Sequence, residues 1–115
     1  MCGIFGAISL SRDAEHGKPI AWNLAAIKGL AWANRERGTD SLGFFDSSGR
    51  MVKRASDPSD ALQDYKVKRW LQCSNEHAWA IGGHTRYATQ GSIVKRNAHP
   101  FKYGAIIGSH NGMVQ

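Results

Sequence analysis

Met1-Cys2-Gly3-Ile4-Phe5-Gly6-Ala7-Ile8-Ser9-Leu10 opens the chain. Ile4, Phe5, Ala7, Ile8 and Leu10 make a short apolar run, and Gly3 and Gly6 let a neighbouring backbone approach closely. The stretch predicts a buried strand. Its second residue adds chemistry. Methionine is commonly trimmed before a small residue, which would leave Cys2 with a free α-amino group beside its own thiol. An α-amine has a reference pKa of about 7.7–8.0 and a thiol about 8.5. Nucleophile and base would then sit in one residue, matched for proton exchange near neutral pH. Position two taken alone is better met by a small buried hydrophobe, so the rest of the chain decides.

Working outward, residues 11–19 read as a polar loop and residues 21–36 as the best helix. Trp22, Ala25, Ala26, Leu30 and Ala33 recur at helical spacing, and Ile27 and Trp32 widen the apolar face. Arg35 and Arg37 fall in the last turn, where cations suit the helix dipole, and Gly38 is placed to end it. Residues 42–46 and 51–55 predict a hairpin around Ser47-Ser48-Gly49. Asp57-Pro58-Ser59-Asp60 is a helix start, with residues 61–73 as a second helix. Residues 78–86 and 103–110 read as strands. The four tryptophans, Trp22, Trp32, Trp70 and Trp79, are expected in the core. Irregular alternation with a hairpin argues for an α+β fold with antiparallel pairing.

Four further segments carry chemistry-bearing residues in order. They are Arg37-Gly38-Thr39-Asp40-Ser41-Leu42-Gly43, Gly83-His84-Thr85-Arg86-Tyr87-Ala88-Thr89-Gln90-Gly91, Asn97-Ala98-His99-Pro100-Phe101 and His110-Asn111-Gly112. Together with the N-terminal Cys-Gly-Ile, they resemble the class II glutamine amidotransferases, the N-terminal-nucleophile (Ntn) glutaminase domains found in amidophosphoribosyltransferase and glucosamine-6-phosphate synthase. The likeness runs from Cys2 to the last residue and is loosest at about residues 44–78. It implies a four-layer αββα sandwich of antiparallel sheets. It also implies a domain that continues past Gln115, so that residues 1–115 would be its N-terminal portion.

The resemblance implies a role for each matching residue. Cys2 is the nucleophile and forms a γ-glutamyl thioester. Asn111 and Gly112 form the oxyanion hole, although Asn-Gly is by itself also the strongest hairpin dipeptide. Arg86 grips the glutamine α-carboxylate, as a planar guanidinium does well, and Tyr87, Thr89 and Gln90 shape the pocket. Many relatives carry histidine where this chain has Gln90. Arg37, Gly38, Asp40 and Ser41 order the N-terminus, and the same residues equally suit a helix C-cap. Two other readings stand beside hydrolysis of glutamine: an Ntn amidohydrolase acting on another γ-glutamyl or amide substrate, and a non-catalytic fragment that needs a partner.

Composition bounds the rest. The 115 residues are 42% hydrophobic and 21% charged, enough for one small domain. No apolar run is long enough to span a membrane, and the N-terminus lacks the basic region of a signal peptide. Two cysteines, Cys2 and Cys73, make no disulfide framework, and a cytoplasmic setting is expected. The net charge of +6 comes from scattered residues, with a modest cluster at Lys66, Lys68 and Arg69. No nucleic-acid-binding signature accompanies it. His84, His99 and His110 have no usual zinc spacing and are expected to be structural or pocket-lining, so neither metal nor cofactor is expected. Expected partners are glutamine and a synthase domain or subunit that receives ammonia.

Overall fold

The computed structural model describes residues 2–9, 24–88 and 92–111. The polar loop at 11–19, Trp22, Thr89, Gln90 and Gly112 lie outside them. Four strands form the main sheet in the order β1-β4-β2-β3. They are β1 (Gly3–Ile8), β2 (Ser41–Asp46), β3 (Met51–Arg54) and β4 (Ala80–Arg86). Every pair is antiparallel. A second, two-stranded sheet joins β5 (Phe101–Tyr103) to β6 (Ile106–Gly108). The described residues are therefore α+β with antiparallel sheets, as the sequence implied.

The first helix, α1 (Leu24–Ala33), runs on into a 3-10 turn at Asn34–Arg37. Its orientation differs from expectation. Ile27 and Ala31 face the core, while Ala25, Ala26, Leu30, Trp32 and Ala33 are exposed. Lys28 is the only charged residue in α1, so apolar residues lie on all sides and the periodicity names no single face. Gly38 does end the helix, but with extended backbone at φ −164°. Glycine is needed there for room, since a Cβ would lie 2.5 Å from the Arg86 carbonyl carbon.

The hairpin β2–β3 forms as expected, with Gly49 at φ +85° in its turn. Asp46 ties it down: its Oδ1 accepts from the Ser48 N–H at 3.0 Å and the Arg50 N–H at 3.1 Å, and its Oδ2 from the Ser74 hydroxyl at 2.5 Å. The expected second helix is two. In α2 (Pro58–Ala61) the Asp57 side chain caps the start, and in α3 (Tyr65–His77) the Asp64 side chain accepts from the Lys66 and Val67 amides. The break has a packing cause. Val67, Leu71 and Ser74 share one helical face, and Ala61 and Leu62 fall out of phase with it. Both sets reach the core only if the chain restarts at Asp64.

The expected strand at 103–110 is also corrected. Gly104 takes φ +58° and turns the chain, so that β5 and β6 pair with each other. Trp70 packs on the core, but Trp32 and Trp79 are exposed, contrary to the expectation of four core tryptophans. Arg35 lies over the Trp32 ring at 5.6 Å.

Side chains alternate across the sheet. Phe5, Leu42, Phe44 and Ile81 meet Ile27, Ala31, Val67 and Leu71 on the helical face. Phe44 is the centre, edge-on to Phe5 and stacked on Trp70, each at 5.8 Å. On the other face, residues 92–111 lie over one end, and an apolar groove of about 810 Å³ remains open between Ile4, Ile8, Phe45 and Trp79. Phe44→Ala is expected to destabilise the chain by about 3–5 kcal/mol. A urea titration should show this as a lower midpoint at unchanged slope.

Candidate active site

The sheet register explains how distant motifs meet. Gly3 pairs with Thr85 and Ser41 with Arg86. The beginnings of β1 and β2 therefore flank the end of β4, and Cys2, Asp40 and Tyr87 converge at one edge of the sheet. The Tyr87 N–H donates to Cys2 Sγ at 3.3 Å, and the thiol lies 3.7 Å from the Tyr87 carbonyl. The Asp40 N–H donates to the Arg86 carbonyl at 2.9 Å, and Asp40 Oδ2 accepts the Ala88 N–H at 2.7 Å. The peptide after Arg86 is thus held from both sides.

Two side chains reach the Cys2 carbonyl. Arg37 Nε donates to it at 3.2 Å from the 3-10 turn, and Asn111 Nδ2 at 2.8 Å from the end of the described chain. Asn111 is separated from Cys2 by nearly the whole sequence, and the fold alone brings them together. Arg86 is buried, with 7% exposure, and its Nη1 donates to the Ser92 carbonyl at 3.0 Å. Tyr87 is exposed at the rim, and Ser41 is buried with its hydroxyl unpartnered. Gly38 makes the close backbone crossing beneath Arg86 described above. Thr89, Gln90 and Gly112, also expected at this site, lie outside the described residues.

Behind this edge lies a feature that residue spacing did not reveal. His84 and His99 stack with ring centroids 3.9 Å apart and planes 14° from parallel, and His110 meets His99 edge-on at 5.0 Å. Gly43 makes the stack possible. It pairs with His84, and a Cβ there would lie 1.7 Å from the His99 carbonyl oxygen. A glycine inside a strand signals such an approach, and Gly43 in the Ser41-Leu42-Gly43 stretch was the available clue. Lys53 Nζ donates to the Ala98 carbonyl at 2.8 Å and the Pro100 carbonyl at 3.2 Å, pinning the same segment from β3.

Burial pushes His84 below the usual histidine range, offset in part by the His110 carbonyl and the Asn111 side chain. Burial, then the nearby charges of His84, His110, Arg86 and Lys53, push His99 down to about 4. Among the described residues, no group of histidine, cysteine or acidic side chains is arranged to hold a metal ion. Cys73 lies away from this edge, its sulfur accepting from Arg50 Nη1 at 2.6 Å. Among the described residues, no helix is long and apolar enough to cross a membrane.

With these motifs brought together in this order, the chain is similar to the class II glutamine amidotransferases. Its sequence relatives are glutamine–fructose-6-phosphate aminotransferases (isomerizing). That of Sulfurisphaera tokodaii is 31% identical over 119 aligned positions, covering 100% of this chain and 18% of the relative. That of Salmonella typhimurium is 32% identical over 120 positions, covering 100% of this chain and 17% of the relative. The chain thus spans less than a fifth of the length of these curated relatives. No family model matches it, and no solved structure does.

The low position of His99 has a sign. A histidine lowered on folding binds fewer protons folded than unfolded, so its contribution to stability is full above the unfolded value of 6.5 and is lost as pH falls through about 4. Thermal melts should therefore fall progressively between pH 6.5 and 4, and His99→Asn should flatten that slope. Identical slopes in parent and variant would mean that the ring is not held neutral.

Proposed function

We propose that this chain carries a glutamine-hydrolysing site. After removal of Met1, the α-amine of Cys2 takes the thiol proton, and Sγ attacks the side-chain carboxamide carbon of glutamine. The tetrahedral intermediate collapses, the C–N bond breaks, and the proton leaves with ammonia. Water then releases glutamate from the γ-glutamyl thioester. Asn111 and the Gly112 N–H stabilise the oxyanion, a contribution typically worth about 3–4 kcal/mol per donor. Arg86, its guanidinium oriented by the Ser92 carbonyl, takes the α-carboxylate, and Tyr87, Thr89 and Gln90 shape the pocket. Arg37, Gly38, Asp40 and Ser41 order the N-terminus and the peptide after Arg86.

The observation that carries this reading is the convergence on Cys2: Tyr87 on its sulfur, Arg37 and Asn111 on its carbonyl. The Ntn αββα sandwich goes with it. In that reading the four-stranded sheet and its helices would be two of the layers, and a second sheet with its own helices would cover the open face. Ammonia would pass to a synthase domain or subunit, in keeping with relatives named as aminotransferases from glutamine to fructose-6-phosphate. One observation favours a second reading, a chain inactive until a partner covers that face: Ile4 and Ile8 are 51% and 62% exposed.

The test is intact mass spectrometry after exposure to 6-diazo-5-oxonorleucine, an electrophilic glutamine analogue. The expected result is a chain lacking Met1 with one adduct on Cys2, blocked by excess glutamine. Cys2→Ala should abolish both adduct and hydrolysis, and Arg86→Lys should raise KM for glutamine by roughly tenfold, since lysine loses the bidentate grip. A trimmed but unlabelled chain would favour the partner-dependent reading. Hydrolysis by Cys2→Ala at the parent rate would falsify the mechanism.

A further inference from the structure

Two histidines hold both backbone polar atoms of the residue before Asn111. His84 Nε2 lies 3.2 Å from the His110 carbonyl, and the His110 N–H lies 3.3 Å from His99 Nδ1. A carbonyl only accepts, so His84 Nε2 carries its proton. A backbone N–H only donates, so His99 Nδ1 is bare and its proton is on Nε2. His99 is then neutral, and a bare Nδ1 on His84, buried with no acceptor beside it, gives both rings the same tautomer in a stack at 3.9 Å. We propose that His84 and His99 are positioning residues: by clamping the His110 peptide from both sides, they set the Asn111 side chain against Cys2.

Three observations support this assignment. His84 is fully buried on the central strand with no partner at Nδ1, so the hydrogen bonding of its ring is directed at the His110 carbonyl and the Asn111 side chain. Gly43 gives up its side chain to let the His99 backbone cross, which is what brings the second ring onto the first. Asn111 itself is exposed, with its side chain donating to the Cys2 carbonyl at 2.8 Å, and the clamp fixes the backbone from which it reaches that carbonyl. The charged and titratable groups around His99 are His84 and Arg86 from β4, Lys53 from β3 and His110 beside it. Acid acts through the same clamp. A proton on His99 Nδ1 turns the acceptor of the His110 N–H into a second donor and opens the peptide.

This inference rests on the glutamine-hydrolysing reading for its kinetic arm only. The variants pair a removal with a mimic at each site: His84→Leu with His84→Gln, whose amide nitrogen replaces Nε2, and His99→Leu with His99→Asn, whose amide oxygen replaces Nδ1. Each is measured for glutamine hydrolysis and for the NMR shift of the Asn111 side-chain amide, assigned by its loss in Asn111→Asp. The leucine variants should lose about tenfold or more in kcat, with KM changed less than about threefold, and their Asn111 amide should move to the value of a solvated side chain. The mimics should recover most of the rate and the parent shift. In the parent, 15N shifts should report bare Nδ1 atoms on both rings. Losses equal in leucine and mimic variants, or an Asn111 amide that never moves, overturn the proposal. A parent that neither hydrolyses glutamine nor takes the label overturns the functional reading instead, and the amide and tautomer shifts still decide the clamp.

Discussion

The pairing of β4 between β1 and β2 is the constraint on which the rest of this molecule depends. An antiparallel strand with two neighbours fixes register twice, and a slip of one residue would turn every side chain to the opposite face. In the observed register Thr85 faces the helices, with its hydroxyl donating to the Asn34 carbonyl at 2.8 Å, and His84 and Arg86 face the other way. The same register brings the start of β1 to the end of β4. Cys2 therefore reaches Tyr87 without any dedicated loop. Its position follows from strand pairing that the core already enforces.

Close packing on both faces of β4 depends on small residues. A Cβ on Gly83 would lie 2.1 Å from the Phe5 ring on the helical side, and one on Gly82 would lie 2.4 Å from the Phe45 ring on the other. The two rings occupy the space that side chains at Gly82 and Gly83 would take, one on each face of β4. Gly43 repeats the device for the His99 backbone. These glycines lower intrinsic strand stability, and the aromatic contacts they permit offset that loss.

Much of this was legible in the sequence, and the misses share a cause. The strand opening at Gly3, the hairpin around Gly49 and the strand ending at Arg86 follow from local pattern and turn chemistry. The motif order suggested the family resemblance and singled out Cys2, Asp40, Arg86, Tyr87 and Asn111, which the fold brings to one end of the sheet. What local pattern did not supply was relative phase. In α1, apolar residues on every side left the buried face to be chosen by the sheet. The break before Asp64 depends on a phase shift between two buried sets that only the core reveals. The turn at Gly104 splits an apolar run that reads as one strand. The histidine stack required the register of β2 against β4, because His84, His99 and Gly43 have no common local period.

The two faces of the sheet therefore carry different burdens. The helical face holds the contiguous apolar core, and substitutions there act on stability. The other face holds polar groups whose value lies in geometry: a carbonyl shared by Arg37 and Asn111, a buried guanidinium on Ser92, and stacked imidazoles bonded to the His110 backbone. Buried polar groups of this kind are costly unless each is satisfied. Their concentration at one end of one face, while the other end remains apolar and open, is the arrangement the proposed glutamine-hydrolysing site requires. A layer meant only to cover the sheet would more readily continue the Ile4, Ile8 and Phe45 surface with apolar side chains.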